Sequence, residues 1–164
     1  MFKQYLALSA IAAQATTQDH WAVIVAGSRG YGNYRHQADT CHAYQIMKKN
    51  GIPESNIIHM SYDDVANSSS NPYPGQLFNK PTAKGTPGVD VYAGCNFDYK
   101  GEDVTAANLI SVLKGDSAAV GGKKVLKSTA ESKVFFYFAD HGAPGLVAMP
   151  AGPYLYADQF HQTI

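Results

Sequence analysis

The chain has 164 residues, a formal net charge of zero at pH 7, 16% charged residues and 45% apolar residues. This length is typical of one domain with its own hydrophobic core. The sparse, balanced charge excludes the basic surface that binds nucleic acid or anionic membranes. We therefore expect neither nucleic acid nor a membrane among the partners.

The first 15 residues predict a signal peptide. Lys3 supplies a positive charge, Tyr5–Ala13 is an apolar run, and Ala13-Gln14-Ala15 matches the small-x-small cleavage pattern. The apolar run is too short to span a bilayer. We expect the chain to enter the secretory pathway, with residues 16–164 as the folded part and Asn67, in Asn67-Ser68-Ser69, as a surface glycosylation acceptor.

In chain order, the first predicted elements form a βαβ unit. Trp21–Ala26 is predicted to be a buried strand, Gln37–Asn50 a helix and Asn56–Tyr62 a second strand. Apolar residues recur along one face of the helix, two lysines occupy its last turn, and Gly51 ends it. A strand, helix and strand within this length require a parallel strand pair.

The later elements continue the alternation of strand and helix. Residues 63–103 are rich in Pro, Gly and Asn without a sustained period, which predicts a long insertion of a functional or flexible kind. Thr105–Leu113 is predicted to be a helix that ends at Gly115. The apolar run from Val134 predicts a strand buried on both faces. The expected fold class is α/β, with a mostly parallel sheet and helices on both faces.

A candidate catalytic group follows that last strand, in Asp140-His141-Gly142. The carboxyl end of a strand is where α/β sheets place their ligands. An imidazole titrates near neutrality and suits acid–base catalysis, so His141 is the candidate. The backbone N–H of Gly142, free of side-chain crowding, suits an oxyanion donor. The alternative is a strand followed by an ordinary polar turn.

A second polar group follows the first strand, where Asn33, Arg35 and His36 come after a glycine-rich stretch. The glycine spacing is Gly-x-x-Gly-x-Gly and differs from the dinucleotide fingerprint, and the sequence contains no His-x-x-x-His pair. We therefore expect no cofactor and no metal. Parallel strands bring this group to the same sheet edge as His141, where an Arg offers a planar fork to a carboxyl or carboxamide oxygen. The alternative is a helix-entry loop with solvated charges.

The sequence contains two cysteines, Cys41 and Cys95. Cys41 is expected to be a small buried residue of the first helix, and Cys95 lies in a turn with no basic neighbour to activate it. Neither residue has the surroundings of a nucleophile. Whether the two pair in a disulfide stays open at this point.

Several blocks of residues follow one another in order along the chain. They are Asn33-Tyr34-Arg35-His36-Gln37-Ala38-Asp39, Cys41-His42-Ala43-Tyr44, Gly51-Ile52-Pro53, Tyr62-Asp63-Asp64, Asp98-Tyr99-x-Gly101-Glu102-Asp103-Val104-Thr105 and Asp140-His141-Gly142. Together these blocks resemble the legumains, which are asparaginyl endopeptidases and caspase-like cysteine proteases of lysosomes and vacuoles. The match runs from about residue 20 to about residue 146, and its length and order make coincidence an inadequate explanation.

The resemblance implies roles for the candidate residues. His141 would be the catalytic imidazole, Asn33 would orient it, and the N–H of Gly142 would serve the oxyanion hole. Arg35 and His36 would line the pocket for the substrate residue before the cleaved bond, together with acidic groups from further along the chain. Such a pocket implies cleavage of peptides after Asn, and after Asp at acidic pH when its carboxyl is protonated.

The sequence also departs from the legumain pattern. The family's nucleophilic cysteine lies in a Glu-x-Cys-x-Ser-Gly block after the next core strand, and no such block occurs up to Ile164. The chain is therefore expected to be the amino-terminal part of a peptidase, inactive alone, whose whole form carries a carboxyl-terminal prodomain. The alternatives are a non-catalytic caspase-like domain that binds peptides, and the glycolipid-anchor transamidase, which shares the block Asn33-Tyr34-Arg35-His36.

Overall fold

A computed structural model describes residues 19–80, 84–86 and 88–164. The expected signal peptide lies outside the described residues. Six strands and three helices are present in the described part, together with short 3₁₀ turns. They are β1 (His20–Ala26), α1 (Tyr34–Lys49), β2 (Ile57–Met60), α2 (Ala106–Leu113), β3 (Lys133–Ala139), β4 (Gly142–Ala143), β5 (Leu146–Val147), β6 (Leu155–Tyr156) and α3 (Ala157–His161).

The main sheet contains three parallel strands in the order β2-β1-β3. Strand β1 is central, and its Ala22 pairs with Ile57 of β2 on one side and with Phe135 of β3 on the other. The predicted βαβ unit, made of β1, α1 and β2, is confirmed. A smaller antiparallel sheet of β4, β5 and β6 follows β3.

Strand β1 supplies core residues to both faces of the sheet, because successive side chains of a strand point to opposite faces. Trp21, Val23 and Val25 belong to the core cluster that includes α2. Ala22 and Ile24 belong to the cluster that includes α1. Helices therefore cover both faces, and the expected α/β class is confirmed.

The helix boundaries differ little from the predicted ones. Helix α1 begins at Tyr34, three residues before the predicted start, because a 3₁₀ turn at Tyr31–Asn33 leads into it. Thr105, the first residue of the second predicted helix, is the N-cap of α2: its Oγ1 accepts the N–H of Asn108 at 3.1 Å. Such a cap satisfies a backbone donor that the first helical turn leaves unpaired.

The prediction that the strand after Val134 is buried on both faces is wrong. Val134 and Phe135 are 42% and 40% exposed, and Ala139, the last residue of the strand, is its only buried residue. Among the described residues β3 pairs with β1 alone, so it is an edge strand of this sheet. The continuous apolar run therefore belongs to a strand with no described neighbour on its second edge. Strand β1 is the one that is buried on both faces.

The described part of the long insertion packs against α1. Its Val65, Leu77 and Val91 are buried in the α1-side core. A disulfide joins Cys41 of α1 to Cys95, with a Cα–Cα distance of 5.5 Å. The two cysteines therefore pair with each other, and their disulfide links the insertion covalently to α1. No helix in the described ranges is both long and apolar enough to cross a bilayer.

Candidate catalytic site

The ends of β1 and β3 lie side by side and form the floor of a cleft. Ala26 pairs with Ala139 at the last position of the ladder, and the N–H of Gly27 donates to the carbonyl of Ala139 at 3.1 Å. The loops that follow the two strands therefore leave the sheet at one edge, as the sequence predicted. A cleft of about 420 Å³ opens between them. Its lining includes Ser28, Arg29, Asn33, Glu102, Asp140 and His141.

His141 and Asn33 form a hydrogen-bonded pair in this cleft. Nε2 of His141 lies 2.8 Å from Oδ1 of Asn33, although the two residues are 108 positions apart in the sequence. The amide nitrogen Nδ2 of Asn33 donates to the carbonyl of Arg29 at 2.8 Å, which fixes which end of the amide faces the ring. Because Oδ1 can only accept, Nε2 of His141 carries the hydrogen. In the neutral ring Nδ1 is then unprotonated and available to take a proton.

The N–H of Gly142 points away from the small sheet. Ala148 donates to the carbonyl of His141 at 3.2 Å, so positions 141 and 148 form a hydrogen-bonded pair of the β4–β5 ladder. Such pairs alternate with non-bonded ones in an antiparallel ladder, and Gly142 lies opposite Val147 at the next position. The Gly142 N–H is therefore not used by β5. An N–H left free by β5 next to His141 is compatible with the expected oxyanion donor, and that role stays a prediction.

His36 lies in a buried layer beneath His141. It is 4% exposed, and its Nδ1 is 2.6 Å from Oγ of Ser28. The two imidazoles meet edge to face, with ring centroids 5.0 Å apart. Burial, and secondarily the charge of Arg35, lower the pKa of His36, which favours a neutral ring. The structure thus places His36 behind the candidate catalytic ring, where it supports the position of His141.

Asp140 is the residue that sequence reasoning did not single out as a site residue. Its side chain is 1% exposed, and Oδ1 lies 3.4 Å from Nδ1 of His36. Neither carboxylate oxygen has a hydrogen-bond partner among the described residues, because the His36 contact is poorly aligned. Asp140 was visible in the motif Asp140-His141-Gly142, but nothing in the sequence indicated that its carboxylate is buried.

Arg35 and Arg29 occupy different positions. Arg35 is exposed on the first turn of α1 and forms no hydrogen bond or ion pair with any described residue. Arg29 lines the cleft, where its guanidinium lies 3.2 Å from Oε1 of Glu102 and 3.3 Å from the hydroxyl of Tyr62. Sequence reasoning missed Arg29 and Glu102, because only the fold brings their loops together.

The two cysteines do not line this cleft. The disulfide joins them in the core on the α1 side of the sheet, and no free thiol exists in the chain. The expectation that neither is the nucleophile agrees with this bond, because a disulfide sulfur carries no thiolate. Asn67 is exposed, as its predicted glycosylation requires, and that modification stays a prediction.

The sequence pattern of the Peptidase C13 family matches residues 20–164. The chain belongs to this family. It is 54% identical over 146 residues to the vacuolar-processing enzyme beta-isozyme of Arabidopsis thaliana, covering 88% of this chain and 29% of that protein. It is 58% identical over 134 residues to legumain of Mus musculus, covering 80% and 30%. It is 51% identical over 142 residues to legumain of Canavalia ensiformis, covering 85% and 29%.

Membership of the Peptidase C13 family confirms the resemblance to legumains and the caspase-like α/β fold class. The chain spans less than a third of the length of the curated relatives named above.

Proposed function

We propose that this chain is the amino-terminal part of a cysteine endopeptidase that cleaves peptides after Asn, and after Asp at acidic pH. The observation that carries the proposal is the His141–Asn33 pair in the cleft, with its 2.8 Å hydrogen bond. An amide oxygen that fixes one ring nitrogen leaves the other free to move a proton, which is the arrangement of a catalytic histidine and its orienting group.

In the proposed reaction the nucleophilic thiol comes from the rest of the protein. His141 removes the thiol proton, and the thiolate attacks the carbonyl carbon of the scissile bond. The Gly142 N–H donates to the oxygen as negative charge develops on it. The same imidazole then returns the proton to the leaving amine, and water releases the acyl group in a second step. His36 supports His141 from beneath, and its expected place beside Arg35 in the substrate pocket stays a prediction.

The proposed specificity depends on Arg35. Its guanidinium is exposed and unpaired among the described residues, so it is free to hold the side-chain oxygen of Asn. Acidic groups from further along the chain would accept the carboxamide NH₂. A charged Asp would be repelled by those groups, whereas protonated Asp imitates Asn. Cleavage after Asp should therefore require acid.

We also propose a cellular location and a domain organisation for the whole protein. Relatives named vacuolar-processing enzyme and legumain support a vacuolar or lysosomal location, reached through the secretory pathway. We further propose that residues 16–164 form part of a larger peptidase domain, and that a carboxyl-terminal prodomain covers the site before activation.

The test is the substrate preference of the full-length protein and of its Arg35→Lys variant. We expect kcat/KM to be high for Asn peptides, low for Gln peptides at every pH, and substantial for Asp peptides only as pH falls towards the carboxyl pKa of about 4. Lysine lacks the planar fork, so Arg35→Lys should lower kcat/KM for Asn peptides by about 5- to 150-fold.

Reaction with a small thiol reagent serves as the control, because it measures the nucleophile without using the specificity pocket. That rate should be the same in both proteins. Equal cleavage of Asn and Gln peptides, or full activity of Arg35→Lys, would show that Arg35 is an ordinary surface residue and would overturn the proposed specificity.

A further inference from the structure

We propose that His36, Asp140 and His141 form a binding site for a divalent transition-metal ion, with Zn²⁺ as its natural probe. One ligand atom from each of the three residues lies within 4.8 Å of the other two. Two imidazoles and one carboxylate are a ligand set that Zn²⁺ accepts, with a fourth position left for solvent.

The strongest support is the state of the Asp140 carboxylate. Its side chain is 1% exposed, and both oxygens lack a hydrogen-bond partner among the described residues. A buried carboxylate without partners carries a large desolvation cost, so such a group calls for a compensating charge. A cation held between the carboxylate and the two rings supplies that charge.

The distances fit an ion of this size. Oδ1 of Asp140 lies 3.4 Å from Nδ1 of His36. Two ligand atoms at about 2.1 Å from a tetrahedral Zn²⁺ are separated by about 3.4 Å, so this edge of the site is already formed. Binding through Nδ1 of His36 exchanges its hydrogen bond to Ser28 for the metal.

The tautomer of His141 suits it as the third ligand. Asn33 holds Nε2–H of His141, which leaves the lone pair of Nδ1 free for a metal. A hydrogen bond from the second ring nitrogen to a carbonyl-type oxygen is the usual support of a metal-bound histidine. His141 is exposed in the cleft, so an ion can enter from solvent. The sequence pattern gave no metal motif, because His36 and His141 meet only through the fold.

This chain allows an unusually clean test, because its cysteines are both held in the Cys41–Cys95 disulfide and offer no thiolate to the metal. Zn²⁺ is titrated into the chain by calorimetry, and Co²⁺ is titrated in parallel to record visible absorption from the bound ion. We expect one equivalent of Zn²⁺ and a low-coordinate Co²⁺ spectrum. Mg²⁺ should not compete, because it prefers oxygen ligands.

The variants His36→Ala, Asp140→Asn and His141→Ala should each weaken Zn²⁺ binding by at least about tenfold. The control is His161→Ala, which removes an exposed histidine of α3 and should leave binding unchanged. His141→Ala changes an exposed side chain, so it tests the site even where a buried variant fails to fold. No binding at millimolar Zn²⁺, or unchanged affinity in folded His141→Ala, would overturn the proposal.

A metal ion bound at this site would prevent the imidazole of His141 from transferring protons, and that consequence rests on the proposed function. The measurement of metal binding is independent of the proposed function. If the full-length protein is an active peptidase and the chain binds no metal, only the metal site is contradicted. If the chain binds metal and the full-length protein has no peptidase activity, only the proposed function is contradicted.

Discussion

Gly27 lies directly beneath the Asp140 side chain. A Cβ atom at Gly27 would lie 2.7 Å from Cβ of Asp140, from its Oδ2 and from a ring carbon of Phe138. Real Cβ atoms do not approach so closely, so the buried carboxylate keeps its position because the residue at the end of β1 has no side chain. The glycine after the first strand thus allows the loop that carries Asp140 and His141 to pack against β1, in addition to any role in the chain turn.

Gly27→Ala should therefore destabilise the fold by about 1–3 kcal/mol, because the added methyl group forces Asp140 and Phe138 to move. The measurement is urea unfolding monitored by fluorescence. Gly32→Ala is the matched control, since a Cβ at Gly32 meets nothing within 4 Å. Equal stability of Gly27→Ala and Gly32→Ala would contradict this packing.

The Cys41–Cys95 disulfide should stabilise the chain through its long loop. The two residues are 54 positions apart, and cross-links that close loops of this size typically contribute about 2–4 kcal/mol. The double variant Cys41→Ala, Cys95→Ala should lose that amount in denaturant unfolding. Reduction of the wild-type chain should produce a similar loss, and an unchanged midpoint in both experiments would show that the bond does not contribute.

His59 should make stability depend on pH. It is fully buried in β2, its Nδ1 lies 3.0 Å from the carbonyl oxygen of Asn96, and burial lowers its pKa to about 3. The unfolded ring, with a pKa of about 6.5, binds a proton more readily than the folded one. Its contribution is therefore fully present above pH 6.5 and is lost as pH falls from there towards 3.

The test compares the pH slope of the free energy of unfolding in the wild type and in His59→Asn. His59→Asn removes the proton that the unfolded chain takes up at His59, so the slope between pH 6.5 and pH 3 should fall by up to about 1.4 kcal/mol per pH unit. His20→Asn changes an exposed histidine and is the control. A slope identical in wild type and His59→Asn would contradict the assignment.

The tautomer of His141 can be read directly by ¹⁵N NMR. Because Asn33 Oδ1 accepts from Nε2, neutral His141 should carry its hydrogen on Nε2 and should have an unprotonated Nδ1. Asn33→Ala should let the ring populate both tautomers. A wild-type spectrum with the hydrogen on Nδ1 would contradict the orienting role of Asn33.

The sequence was sufficient to predict the βαβ unit, because the apolar run of β1 and the apolar residues along one face of α1 are local signals. It was also sufficient to place Asn33 and His141 at one sheet edge, because parallel strands end on the same side. It was misleading for β3, since an apolar run does not reveal whether a neighbouring strand covers it.

The buried contacts of Asp140 and His36 could not be predicted from local sequence patterns. The partnerless carboxylate of Asp140 depends on contacts between loops that are over 100 positions apart in the chain, as does its approach to His36. The pairing of Cys41 with Cys95 also required the fold, since two cysteines in a sequence do not define a distance.

The most direct test of the account is kcat/KM of the full-length protein for an Asn peptide in His141→Ala, Asn33→Ala and the double variant. His141→Ala should lower kcat/KM by about 10³-fold or more, and Asn33→Ala by about tenfold or more. The double variant should be no slower than His141→Ala, because Asn33 acts through the imidazole. His161→Ala should remain at wild-type activity. Activity of His141→Ala within a few-fold of wild type, or a double variant in which the two losses multiply, would contradict a catalytic His141–Asn33 pair.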